Sequence, residues 1–296
     1  MPRILDFEGL PRNIIEFEGP GYEFAGYKCL EITLKKLILF LVVLFSFEDS
    51  AFATWSVIAI DKNTKKVVVA AASCVNTSDD FMKDALAVVV PGIGAAVCQA
   101  RADNTHKNQL LVFNELKNGT EPGKIIELLS ADAAFDSRQY GILDLQGRFA
   151  GRSGLDNIPE SLWRGGRIPG TEIYYSIQGN TLSPGTVLAA EKAFVAAKGA
   201  LTDRVMAALQ AGDEQGGDTR CSCPPERAGK TQLPCDAKHA HVAFILLANP
   251  TDKIDSYSTG KYSMYITVSQ PAADHPLGAK AGESLNPVKT LPADFQ

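Results

Sequence analysis

Helical periodicity in this chain comes only in adjacent pairs, and that order constrains the fold more than any other feature. Strand-type apolar segments fill Thr54–Ile60, Val67–Ala72, Ala85–Val90 and Ile93–Arg101. Two helical segments follow, His106–Lys117 and Pro122–Ser130. The first has Asp103, Asn104 or Thr105 as candidate caps and the second is opened by "TEPGK". "QYGILDLQGRFAGRSG" reads as a hairpin turning at Gly147, 155–171 as a loop rich in Gly, Pro and Arg, and Tyr174–Gln178 as a strand. A second helical pair, Gly185–Lys198 and Leu201–Ala211, is closed by Gly212, and the strands Val242–Ala248 and Tyr262–Val268 come last. A doubly wound parallel sheet needs a helix between successive strands. Paired helices instead suit antiparallel sheets covered by helix layers. Residues 54–270 read as one domain without repeat or linker, followed by a loosely held Pro-rich tail, 271–296.

Residues 1–53 read as an N-terminal extension ending in a secretory signal. Lys35 and Lys36 precede an apolar run, Leu37 to Phe47, and Ala51-Phe52-Ala53 fits the small-x-small cleavage rule, although Glu48 and Asp49 before the cut are atypical. The run is short for a spanning helix, which disfavours an uncleaved anchor. The expected location is therefore secreted or periplasmic, with a mature chain opening at Thr54. The net charge of −5 and the lack of a basic tract argue against nucleic acid or an anionic membrane as partner. Export makes cysteines potential disulfides. Cys29 leaves with the signal, so Cys74, Cys98, Cys221, Cys223 and Cys235 remain, an odd number. A bond from Cys235 to Cys221 or Cys223 is expected, and Cys74 and Cys98 are either a second pair or two buried thiols. "CSCPPERAGKTQLPCDAKHAH" also gathers Cys221, Cys223, Cys235, His239 and His241, weak zinc-ligand candidates whose spacing fits no standard finger. No metal and no cofactor are expected.

The chain has no G-x-S-x-G elbow, no H-E-x-x-H and no phosphate-binding glycine loop. Its four histidines stand in no familiar serine-histidine signature. What remains is Thr54. A Thr hydroxyl is a poor nucleophile, but at a free N-terminus its own α-amine can serve as base. That amine has a reference pKa of about 7.7–8.0, so a useful fraction of it is unprotonated near neutrality. A β-branched residue opening a strand is equally the ordinary case.

"TWSVIAIDKNTKKVVVAAAS", "GIGAAVCQARAD", "RQYGILDLQGRFAGRSG", "IQGNTLSPGTVL" and "ALQAGDEQGGDTR", in this order, resemble the family called domain of unknown function 1028, which is grouped with the N-terminal nucleophile (Ntn) hydrolases. The resemblance covers roughly Thr54 to Ala248. It implies an α+β fold, a four-layer αββα sandwich of two antiparallel sheets. It also implies amide hydrolysis through an acyl-enzyme on an N-terminal Thr, Ser or Cys, with Thr54 at the matching position. The other motif residues are weighed on their chemistry. Ser73, at the end of the second strand, could orient the amine. Gln99 and Asn180 carry amide donors suited to an oxyanion hole. Gly179 either lets substrate approach the backbone or permits a positive φ. Asp218 binds a substrate amine or, the favoured alternative, pairs with Arg220, and Arg101 could hold a substrate carboxylate. The expected partner is a small-molecule or peptide amide, with no nucleic acid, no membrane once the signal is gone, and room for a homo-oligomer. A non-catalytic secreted or cell-surface binding protein on the same fold is the alternative.

Overall fold

A computed structural model of the chain describes residues 51, 52, 54–75, 77, 79–157, 160–221, 239–269 and 286–295. Almost every residue of β2 (Thr54–Asp61) and β3 (Lys66–Ser73) is buried, on both faces of each strand. Side chains alternate across a strand, so strands buried on both faces must lie in an inner layer. The two pair antiparallel about the polar turn at 62–65, with Thr54 opposite Ser73.

Around this hairpin the main sheet runs β13–β10–β3–β2–β9–β8, every pairing antiparallel. Its other strands are β8 (Leu162–Arg167), β9 (Ile173–Asn180), β10 (Val242–Ala248) and β13 (Met264–Ser269). The second sheet is built on β5 (Gly94–Arg101), followed by β6 (Arg138–Asp144) and β7 (Phe149–Ser153). On the other side of β5, β4 (Ala87–Val90) pairs with residues 94–97 and β1 (Ala51–Phe52) with residues 100–101. A small ribbon, β11 (Lys253–Ile254) with β12 (Gly260–Lys261), stands apart from both sheets.

Three apolar cores separate four layers. Trp55, Val57, Val68 and Ile177 of the main sheet pack against α4 (Thr186–Ala196) and α5 (Leu201–Glu214) through Phe194, Val205 and Leu209. Ile58, Ile60, Val67, Val69, Phe244 and Leu246 meet Val89, Ala95, Val97 and Leu143 between the sheets. The outer face of the second sheet is covered by α2 (Lys107–Lys117) and α3 (Pro122–Leu129) through Val112, Leu116, Ile125 and Leu129. The expected αββα sandwich is what the chain forms.

Four segments differ from the sequence reading. Asp79–Leu86 is a helix, α1, where the strand reading began at Ala85; Met82, Ala85 and Leu86 recur at helical spacing and face the inter-sheet core. Residues 162–167 form edge strand β8, not loop. Their glycines are required because a Cβ at Gly165 would meet the Trp163 ring at 2.7 Å, and one at Gly166 the Tyr175 hydroxyl at 2.7 Å. Gly212 does not end its helix, which runs on to Glu214. It lies under the Trp55 indole, which donates to Leu209 O at 3.1 Å. The tail is not loose where it is described: Pro287–Phe295 is a helix, α6, with Val288 and Leu291 fully buried in the core under the main sheet.

Candidate active site

Register places Thr54 between two neighbours, Ser73 on β3 and Asn180 on β9. Residues directly opposite in a sheet point to the same face, and the Ile58 and Val69 pattern identifies that face as the inter-sheet one. Three polar side chains therefore stand abreast at one end of the space between the sheets, all buried. Thr54 Oγ1 donates to Ser73 Oγ at 3.2 Å. Ser73 Oγ also accepts from Arg220 Nη2 and Val75 N, both at 3.3 Å.

Arg220 is held by Asp218, whose carboxylate takes Nε at 3.1 Å and Nη2 at 2.7 Å and also caps Cys74 N at 2.8 Å. The favoured pairing of Asp218 with Arg220 is thus the one formed. Cys74 follows Ser73 and Cys221 follows Arg220, and these two cysteines are disulfide-bonded with Cα atoms 5.7 Å apart. This rules out a Cys235–Cys221 bond and a Cys74–Cys98 pair. Cys221 bonds to Cys74, and Cys98 is a buried free thiol pushed up to about 12 by burial, which leaves it inert. Cys223 and Cys235 lie outside the described residues. Cys221 is therefore no thiolate ligand, and His239 is turned to Asp213, its Nδ1 3.2 Å from Oδ1, a hydrogen bond that raises its pKa. Among the described residues no cluster of His, Cys, Asp and Glu could hold a metal.

From the second sheet, Gln99 reaches across. Its Nε2 donates to Thr54 O at 3.1 Å and to Gln139 Oε1 at 2.7 Å, so both amide protons are spent. Its Oε1 accepts from Ser56 Oγ at 2.6 Å, which accepts from Gln178 Nε2 at 2.6 Å. Gln178 Oε1 accepts from Ser176 Oγ at 2.8 Å, which accepts from the Trp163 indole at 2.9 Å. An indole only donates and a carbonyl only accepts, so the series runs one way, from Trp163 to Thr54 O. Asn180 makes a single bond among the described residues, Nδ2 to Gln139 Oε1 at 3.3 Å, and keeps one amide proton uncommitted.

Backbone strain sits beside both amides. Ala100, after Gln99, has φ +74°, and Thr181, after Asn180, has φ +55°. Such conformations in non-glycine residues cost about 1–3 kcal/mol and collect at functional sites. Gly179 needs no positive φ and does not face Thr54 Oγ1. It sits opposite Trp55 on the helix-facing side, where a Cβ would be 2.1 Å from Leu182 Cδ1, so packing and not substrate explains it. Arg101 ends β5 at the rim, paired with Ala51, its carbonyl accepting from Arg138. A cleft of about 330 Å³ opens elsewhere, on the outer helices around Asn108 and Asp132. Hydrogen bonds to Asn108, Ala134 and Arg138 already occupy the Asp132 carboxylate, so the cleft's polar wall is structural.

Ser56, Gln139 and Gln178 belong to the site and were not singled out from the sequence, and Arg220 was expected only as the partner of Asp218. "SIQGN" carried a signal, with Ser176, Gln178 and Asn180 at a period of two on one strand face. Finally, Phe52 pairs in the second sheet and Thr54 in the main one, so the chain changes sheets between Phe52 and Thr54.

A family model described as a family of unknown function, DUF1028, matches residues 54–226. The crystal structure of a Silicibacter pomeroyi protein that carries the same family model superposes with a TM-score of 0.56 at 19% identity. The match covers 82% of this chain and 88% of that one. No curated protein matches the chain.

Proposed function

The chain belongs to the DUF1028 family of unknown function, and from that membership and the packing around Thr54 we propose that it is an exported amidohydrolase of the Ntn type. The observation that carries the reading is a hydroxyl at the first residue of the central strand, ringed by amides on strands whose next residues are strained. The family match also begins at Thr54. Cleavage after Ala53 gives Thr54 a free amine. That amine takes the Oγ1 proton, directly or through one water, as Oγ1 bonds to the substrate carbonyl carbon. Asn180, with its uncommitted proton, donates to the oxyanion, while Gln99 holds the Thr54 carbonyl in place. Collapse expels the amine product, which takes the proton. Water, deprotonated by the Thr54 α-amine, then attacks the threonine ester, and Oγ1 leaves taking that proton back from the amine. The substrate class is a small-molecule or peptide amide.

In the intact chain Thr54 and Ser73 are completely buried, and catalysis requires the peptide bond before Thr54 to be cut, because only a free α-amine can act as the base. That burial favours the second reading, a non-catalytic secreted or cell-surface protein, if the segment stays. The disulfide is compatible with export, and no helix of the described residues is long and apolar enough to cross a membrane. Intact mass of the exported product is expected to start at Thr54. A β-lactone electrophile should then label it once, and Thr54→Ala should abolish labelling. A chain starting elsewhere lacks the proposed base, and labelling that survives Thr54→Ala sinks the reading.

A further inference from the structure

Gln139, completely buried on β6, is the one described residue whose side chain is hydrogen-bonded to both Gln99 and Asn180. Its Nε2 faces Gly179 O at 2.8 Å, Leu162 O at 3.2 Å and Ser153 Oγ at 2.6 Å. Two of those partners are carbonyls, which only accept, so the nitrogen end of the amide is identified by chemistry. The oxygen end must then lie toward Gln99 Nε2 and Asn180 Nδ2, and both must donate to it. A reversed Gln139 amide would set oxygen against two carbonyls and N–H against two N–H groups. Each buried mispairing costs about 1–3 kcal/mol, so the reversed state is empty.

The consequence passes one step further. With Oε1 presented to it, Gln99 turns its nitrogen inward, and that nitrogen also reaches Thr54 O. Asn180 likewise commits one proton to Gln139 and keeps the other. Every other contact of Gln139 is to backbone or to Ser153, so the orientation information enters from β7, β8 and β9 and leaves through two amides.

We propose that Gln139 is a positioning residue of this site, a buried amide that dictates which way the two amides flanking Thr54 face. The chemical consequence rests on the hydrolase reading above; the orienting role does not. Two variants test it in the exported product of the full chain. Gln139→Met keeps length and removes the acceptor; Gln139→Glu, neutral while its buried carboxyl is protonated, keeps an accepting oxygen and one donor. β-Lactone labelling of Thr54 is expected to fall about 10²-fold in Gln139→Met, the usual effect of a lost oxyanion donor. Measured relative to the wild type at the same pH, which cancels the titration of the Thr54 amine they share, Gln139→Glu is expected to recover at least about tenfold of that loss at low pH and to lose it as the acid ionises. In ¹⁵N-edited spectra, the Gln99 and Asn180 side-chain amide signals should shift in Gln139→Met and return in Gln139→Glu at low pH. Unchanged signals in Gln139→Met overturn the orienting role, and wild-type labelling in both variants overturns its chemical consequence. If the wild type takes no label, the hydrolase reading has failed, and the amide signals still decide the role of Gln139.

Discussion

The same strands build two different interiors between the sheets. At the end near the 62–65 turn, β2, β3, β5 and β6 contribute Ile58, Ile60, Val67, Val69, Ala95, Val97 and Leu143. At the other end the same strands, with β9, contribute Thr54, Ser56, Ser73, Gln99, Gln139, Gln178 and Asn180. The change occurs at one level. Gly141 marks it, because a Cβ there would lie 2.0 Å from Gln178 Oε1. Apolar packing is non-directional, so the first half is specified by volume alone. Hydrogen bonding is directional, so in the second half each group is specified by its neighbour's chemistry. Stability is drawn from one half and a defined arrangement from the other.

Substitutions should separate the halves. Phe244→Ala empties the apolar half and should cost about 3–5 kcal/mol in denaturant unfolding, with Thr54 still labelled in the fraction that folds. Gln178→Met keeps volume but removes the donor to Ser56 Oγ and the acceptor from Ser176 Oγ, and should cost about 1–3 kcal/mol. Ile58→Val, an equally modest change in the apolar half, should cost only about 0.5–1.5 kcal/mol. If the two cost the same, the contrast between directional and volumetric packing is broken. Thr181→Gly should have the opposite sign and raise stability by about 0.5–1 kcal/mol by relieving the positive φ, while slowing labelling of Thr54. The smallest effect lies outside both halves, since none of the residues just compared titrates near neutrality. The Asp213 hydrogen bond raises the His239 pKa above its unfolded value, so the pair's contribution is complete below about pH 6.5 and fades as pH climbs through the folded pKa. His239→Ala should remove that slope from a stability-against-pH curve.

The apolar half was legible in the sequence, because the alternating Thr54–Ile60 and the continuous apolar run Val67–Ala72, joined by a polar turn, read as a hairpin. Ser73 and Asn180 beside Thr54 were legible through motif order. The Cys74–Cys221 bond was not, since 147 residues separate its ends and only the return of the 218–221 segment to β3 brings them together. Edge strand β8 was hidden because Gly165 and Gly166 depress strand propensity while serving ring packing from Trp163 and Tyr175. Gln139 lay in plain view in "RQYGILD", but its role depends on β8 and β9 carbonyls that tertiary packing alone delivers.

The Cys74–Cys221 bridge ties the residues next to Ser73 and Arg220, the two partners that meet at the hydroxyl accepting from Thr54. Under the proposed reading two covalent events then meet at one site. One covalent bond, before Thr54, is broken to free the base, and another, between two sulfurs, fastens the segment that carries Arg220 to the end of β3. A reducing interior withholds the second and an uncut leader the first, so export supplies both together.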